Sequence, residues 1–291
     1  MKRRVLITGS SSGFGRLAAV ALAAAGHRVI ATMRDTAGRN AAAAQALAAE
    51  HPGISVVELD VHDEASVEAA VAAARELAGG LDVVINNAGI AGLGFTEGYS
   101  VDRLRQVFET NVFGAHRVCR ATLPALREAG DGLLIFVSSV MGRVVVPCTA
   151  AYTASKFALE ALAESYSYEL APLGVDVAIV EPGTHPTSIG DNMAHWGPDD
   201  AARLEAYGPA SQIPEAVFQS IIQTLSAPEP PDSGAVARAI VELVAAPQGQ
   251  RPRRVVVDAL SGAAAEAVNA TAKECQAQLL GHLGLTELCK A

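Results

Sequence analysis

Aromatic residues are scarce in this chain of 291 residues: only 4%, with a single tryptophan, Trp196. A core must therefore be built from aliphatic side chains, and half the sequence is hydrophobic, enough for a substantial one. Positive charge is also short. Lys and Arg total 22 against 31 Asp and Glu, the formal net charge is -9, and no basic run forms a stripe, which excludes nucleic acid as an expected partner. Long apolar runs are missing. The stretch "AAVALAAAG" (18–26) stops at His27-Arg28, far below the roughly 20 residues of a membrane span. The start, "MKRRVLITG", sets three charges before an apolar run of about four residues, shorter than the roughly 7–15 of a signal-peptide core. The four cysteines, Cys119, Cys148, Cys275 and Cys289, are scattered, with no CxxC pair and no metal-ligand spacing. They read as reduced thiols of a cytoplasmic protein, with Cys119 a small buried hydrophobe.

What is present is an alternation. Short Val/Ile/Leu runs at 4–8, 28–32, 55–59, 81–86, 133–138, 175–180 and 253–259 alternate with Ala/Leu-rich helical patterns. The helices are expected at 14–25, near 38–50, near 64–78, over 101–128 as one long element, around Tyr152, and near 234–246. The apolar runs are continuous rather than alternating, as in strands covered on both faces, hence a parallel sheet. Repeated β-α units with right-handed crossovers predict an α/β, doubly wound domain with a seven-stranded sheet and helices on both faces. Residues 184–231, rich in Pro, Gly, Asp and Ser, are too long for a plain connection and suggest a lid with a helical piece at 215–225. Residues 261–291 form a helical tail beyond the main unit of 1–260.

The first strand runs directly into "TGSSSGFG" (8–15). Glycines in such a turn allow close backbone approach, and the following helix start offers free N–H groups to a pyrophosphate. The turn sits at the first β-to-α junction, the context that dinucleotide binding requires. "NNAG" (86–89) follows the fourth strand; Ser139 precedes Tyr152 by 13 residues, and Lys156 follows it by four. With TGxxxGxG, NNAG and YxxxK in order, the chain resembles the short-chain dehydrogenase/reductase family of the classical type over residues 3–260, nearest in style to its hydroxysteroid and retinol dehydrogenase branch.

The resemblance implies a Rossmann-type domain, a nicotinamide dinucleotide and an activity that transfers hydride. It assigns Gly9, Ser11, Ser12, Gly13, Phe14 and Gly15 to the phosphate loop, Asp60 and Val61 to the adenine, and Asn87, Ala88 and Gly89 to the ribose. Pro182, Gly183 and Thr187 match the family's PGxxxT at the nicotinamide. The position where NAD enzymes of the family carry an Asp is Met33 here, followed by Arg34. A guanidinium suits a 2′-phosphate, so NADP(H) is favoured over NAD. Asp35 comes late for a ribose role, and Ser12 is not the second cation that many NADP enzymes carry there.

Tyr152 and Lys156, four apart on a helix, share a face. The lysine cation is expected to lower the phenol's pKa, Tyr152 to exchange a proton with the substrate oxygen, and Ser139 to hydrogen-bond that oxygen. Lys156 and Tyr152 would also touch the cofactor, and Asn111 in "ETNVFG" matches the family's fourth residue, whose backbone holds a relay water. Gly92–Leu93, Val140–Met141, Cys148, Gly183–His185 and Trp196 are expected around the substrate. That mostly apolar set predicts an apolar carbonyl or secondary alcohol, steroid-, retinoid- or aryl-like, in a carbonyl reductase that runs reversibly as an alcohol dehydrogenase. No metal is implied. The 101–128 and 150–171 helices are the family's usual interface, implying a homodimer or homotetramer. Two other readings are a silent dinucleotide sensor, disfavoured because all four catalytic-type residues are intact, and an extended-type epimerase, whose glycine loop and larger substrate domain are not seen.

Overall fold

The computed structural model describes residues 2–290, except the side chains of Asp191, Cys289 and Lys290. The expectation for Cys289, and the terminal residues Met1 and Ala291 of the two expected units, lie outside the described residues. Seven strands form one parallel sheet: β1 (Arg4–Ile7), β2 (Arg28–Met33), β3 (Ile54–Glu58), β4 (Val83–Asn86), β5 (Gly132–Val137), β6 (Val175–Pro182) and β7 (Arg254–Val257). Their spatial order is β3-β2-β1-β4-β5-β6-β7, so the winding reverses between β1 and β4. At such a reversal the loops leaving the strands diverge and open a crevice at the carboxyl edge.

Successive strand residues point to opposite faces and feed two separate cores. On one face, Leu6, Ile30, Val84 and Phe136 pack against Val71, Leu126, Leu159 and Tyr166. These come from α3 (Glu64–Ala78), α5 (Ala115–Ala129) and α6 (Ala150–Leu170). On the other, Val5, Ile7, Ile85 and Ile135 meet Leu22, Leu47 and Ile240. Those belong to α1 (Gly13–Ala24), α2 (Ala41–Glu50) and α9 (Gly234–Ala245). Burial on both sides explains why the strands carry no polar alternation.

The long helix expected over 101–128 is interrupted. α4 (Val101–Phe108) passes through a π-helical turn, Glu109–Gly114, before α5 begins. The turn widens where Gly114 crosses Val61: a Cβ there would lie 2.8 Å from that side chain. Period analysis cannot register a single wide turn inside a helical pattern. The 184–231 segment contains α7 (Ala201–Glu205) and α8 (Ile213–Leu225). No residue of α8 is fully buried. The tail forms α10 (Gly262–His282), which is mostly exposed. Among the described residues, no helix is long and apolar enough to cross a membrane.

Candidate active site

The glycine loop is shaped by contact with the turn after β4. Gly9 has φ +69°, and a Cβ on it would stand 2.8 Å from Ala88 Cα. A Cβ on Gly15 would fall 2.4 Å from both Asn87 Nδ2 and the Gly9 carbonyl. Gly15 therefore lets α1 pack onto the loop and does not itself line the cavity. Asn87 Nδ2 donates to the carbonyls of Thr8 (2.8 Å) and Gly9 (3.0 Å), and Thr8 Oγ1 accepts from the Asn87 and Ala88 amides at 3.0 Å each. Asn87 is thus a brace for the loop as well as part of the cavity wall. Ser12 and Ser188 hydroxyls meet at 2.6 Å, and Thr187 packs 3.5 Å from where a Gly13 Cβ would stand. The 187–188 turn so lies across the phosphate loop.

A cavity of about 690 Å³ runs along the carboxyl edge of the sheet. It brings together most of the expected residues. Gly9, Ser11, Ser12, Gly13, Phe14, Asn87, Ala88 and Gly89 line its middle. Arg34, Asp60 and Val61 line one end; Ser139, Tyr152, Lys156, Pro182, Gly183 and Thr187 line the other with Met141, His185 and Trp196. The shape fits an extended dinucleotide: a glycine turn that leaves no room for a side chain at Gly9, and helix α1 starting behind it.

Leu93 and Cys148 do not line this cavity, contrary to expectation. Gly94 N donates to the Cys148 carbonyl at 2.8 Å, which ties the two loops together by backbone behind the wall. Asn111 is also set back, 1% exposed, and holds Ile90 from both sides. Its Oδ1 accepts from Ile90 N, and its Nδ2 donates to Ile90 O and to Ser155 Oγ, all at 2.9 Å. It lies in the π-helical turn. Met33 occupies the wall where an acidic residue would contact a ribose. Asp35, with φ +54°, turns its carboxylate back to the Arg39 amide (2.8 Å).

That turn brings up a residue that sequence reasoning missed. Arg39 lines the cavity beside Arg34. Neither has an ion-pair partner among the described residues. A second cation was sought at Ser12, in the glycine loop; the signal lay five residues past Arg34, in "RDTAGR". His62 was also missed: it lines the cavity beside Asp60 and Val61, with its ring nitrogen 2.7 Å from Thr110 Oγ1. Met193, His195, Ile221 and Leu225 of the 184–231 segment complete the far wall.

Tyr152 and Lys156 project from the first turns of α6. Lys156 Nζ donates to the Val137 carbonyl at 2.9 Å and lies 5.6 Å from the Tyr152 ring centre. Gly89 approaches closely: a Cβ there would sit 3.7 Å from Lys156 Nζ. Burial pushes the Tyr152 phenol up to about 12, opposed by the neighbouring Ser139 hydroxyl. The expected net lowering of this pKa is not found: desolvation is the largest influence and acts upward, and Lys156 Nζ lies 5.6 Å from the ring centre. Burial likewise brings Lys156 down to about 8, with the Glu160 carboxylate working the other way. Ser139 Oγ donates to the Pro182 carbonyl (3.3 Å) and accepts from Met141 N (3.2 Å), which fixes it at the β5 edge. His185 is buried; its Nδ1 donates to Gly183 O (3.1 Å), and its ring stands edge-on to Phe14 at 5.6 Å. It is both packed and part of the wall.

A doubly wound parallel sheet with a glycine cradle and a Ser/Tyr/Lys cluster at its carboxyl edge defines a dinucleotide-dependent oxidoreductase. Residues 3–197 match the short chain dehydrogenase family, and the chain belongs to it. It is 36% identical to human retinol dehydrogenase 8 over 79% of each protein. It is also 36% identical to human 17-beta-hydroxysteroid dehydrogenase type 1, over 78% of this chain and 75% of that one. A short-chain dehydrogenase from Streptomyces avermitilis superposes with a TM-score of 0.76 at 31% identity, covering 99% of this chain and 98% of that one.

Proposed function

We propose that the protein transfers hydride between NADP(H) and an apolar ketone, aldehyde or secondary alcohol. The observation that carries this is the meeting of Ser139, Tyr152 and Lys156 on one end of a cavity whose other end presents Arg34 and Arg39. When bound, the nicotinamide supplies or accepts the hydride. Tyr152, whose phenol is pushed up to about 12, holds its proton at neutral pH and can donate it to a carbonyl oxygen as charge develops there. Ser139, anchored through Pro182 and Met141, stabilises the same oxygen. Lys156, opposite Gly89, holds the ribose hydroxyls. Asn111 fixes the strand-end loop at Ile90 against α6 through Ser155, and its backbone serves the proton relay.

Arg34 and Arg39 together favour the extra phosphate of NADP(H), because two guanidinium groups without acidic partners match a dianion. The substrate end is walled by Val140, Met141, Met193, Trp196, Ile221 and Leu225, an apolar surface. The names of the retinol and hydroxysteroid relatives agree with that chemistry. Residues 1–260 form the cofactor-binding unit, 184–231 act within it as a substrate lid, and 261–291 are an extension. Assembly as a homo-oligomer would use α4–α5 and α6, where Phe113 (48%) and Phe157 (39%) are exposed. The test is a panel of apolar ketones and alcohols with NADPH and NADH, with Tyr152→Phe beside wild type. Preference for NADH, or full turnover by the variant, would sink the corresponding half of the proposal.

A further inference from the structure

Beneath the Tyr152 wall lies a buried charge cluster that the reading above does not use. Lys156, Glu160 and Glu164 follow one another at four-residue spacing along α6 and so share a face. Lys156 is 4% exposed and Glu160 1%. Glu160 Oε2 accepts from Arg254 Nε and Nη2, each at 3.0 Å. Arg254, on β7, also pairs with Glu164 (2.7 Å) and with Glu181 (3.0 Å), the residue before Pro182 at the end of β6. From the β5 side, the Ser138 hydroxyl and the Arg143 guanidinium face Glu160. α10 closes the cluster: Asn269 Nδ2 donates to Glu181 Oε2 (2.7 Å) and Gln276 Nε2 to Glu164 Oε2 (2.8 Å).

Three carboxylates gather here on one arginine. Glu160 and Glu181 are almost fully buried, so burial and mutual repulsion work against keeping all three ionised. Glu181 is pushed up to about 7: burial and the neighbouring Glu160 charge raise it, with Asn269 and Arg254 opposing. Burial also raises Glu160, but the two-point contact with Arg254, together with Ser138 and Arg143, favours its ionised form. Ionised Glu160 then stands one turn from an ammonium that has no carboxylate contact of its own among the described residues. Left to burial alone, Lys156 would tend to the neutral amine.

We propose that Glu160 is an electrostatic positioning residue for the site: its carboxylate, clamped by Arg254 and capped through Glu181 and Glu164 by the C-terminal helix, keeps Lys156 protonated beneath Tyr152. This rests on the assignment of Tyr152 and Lys156 as the proton-handling pair. A cluster that merely tied β7 and α10 to α6 would affect stability and leave Lys156 alone, so the lysine itself is the readout.

The chain has four lysines, Lys2, Lys156, Lys273 and Lys290, so an NMR titration of ¹³C-labelled lysine side chains is simple to assign with Lys156→Arg. Glu160→Gln is nearly isosteric and leaves Arg254 paired with Glu164 and Glu181. Saturating dinucleotide stabilises the native state of each variant, so the titration stays readable if E160Q is marginal. The expected result is a fall of about one pH unit or more in the Lys156 midpoint of E160Q, as for loss of an opposite charge at close range. Lys2 and Lys273 should not move. The alkaline limb of kcat should fall with Lys156, and Glu160→Asp, which keeps the charge, should bring both back toward wild type. A Lys156 midpoint unmoved in E160Q, with only a lower Tm, overturns the inference, as does an alkaline limb that stays in place. Full turnover by Tyr152→Phe would instead refute the functional assignment, and the lysine titration would still decide the role of Glu160.

Discussion

Lys156 Nζ sits 5.6 Å from the centre of the Tyr152 ring while its proton donation goes to the Val137 carbonyl, 2.9 Å away. The lysine therefore supports the tyrosine from beneath and is free to face Gly89, where a ribose would pass. Lys156→Met should accordingly damage both steps. We expect the cofactor KM to rise and kcat to fall, each by about tenfold or more, as for loss of a hydrogen bond to a charged group. Steady-state kinetics check this; a change in kcat alone would mean that Lys156 does not hold the cofactor.

Arg34 and Arg39 should act together at the adenosine end. Each alanine substitution is expected to weaken NADPH by about ten- to a hundredfold, consistent with roughly 1.5–3 kcal/mol for a charge-assisted bond. NADH kinetics should hardly change. Equal losses for both cofactors would show a structural role for these arginines instead.

The glycine cradle gives a stability prediction. Gly9→Ala places a Cβ at φ +69° and 2.8 Å from Ala88 Cα, a clash with backbone that cannot be relieved by a rotamer. A loss of about 1–3 kcal/mol is expected, seen as a lower midpoint in urea, with weaker dinucleotide binding. A variant as stable as wild type would mean that the 8–15 loop is not held as described.

Much of this arrangement was legible beforehand. The seven apolar runs became the seven strands, because residues buried on both faces leave a plain Val/Ile/Leu signature. Ser139, Tyr152, Lys156 and most of the glycine loop could be singled out because they sit in motifs shared with the family, and the fold brings them to one cavity. Arg39 was missed because its approach depends on the left-handed turn at Asp35, which no periodicity records. Leu93 and Cys148 were misplaced because a backbone bond between loops, from Gly94 to Cys148, decides which side faces the cavity. The sign of the Tyr152 shift was misjudged because burial depends on what the fold packs over the ring.

Glu181 links folding to pH. Its carboxyl is raised from 4.5 to about 7, so between those values the folded chain binds a proton that the unfolded chain has released. Stability from this group is therefore fully present below about 4.5 and is lost as pH rises toward 7, by about 1–3 kcal/mol. Other carboxylates titrate as well, so the comparison is with Glu181→Gln, which should flatten the fall. Urea unfolding of both proteins at pH 5 and pH 8 measures the difference; parallel behaviour would contradict it.

The account turns on Tyr152 as the proton donor in reduction by NADPH. Its most direct test is turnover of an apolar ketone with NADPH by wild type and Tyr152→Phe, with cofactor binding measured for both. The predicted result is a loss of about 10²–10⁴-fold in kcat with dinucleotide affinity little changed. Equal turnover by the two proteins would contradict the account.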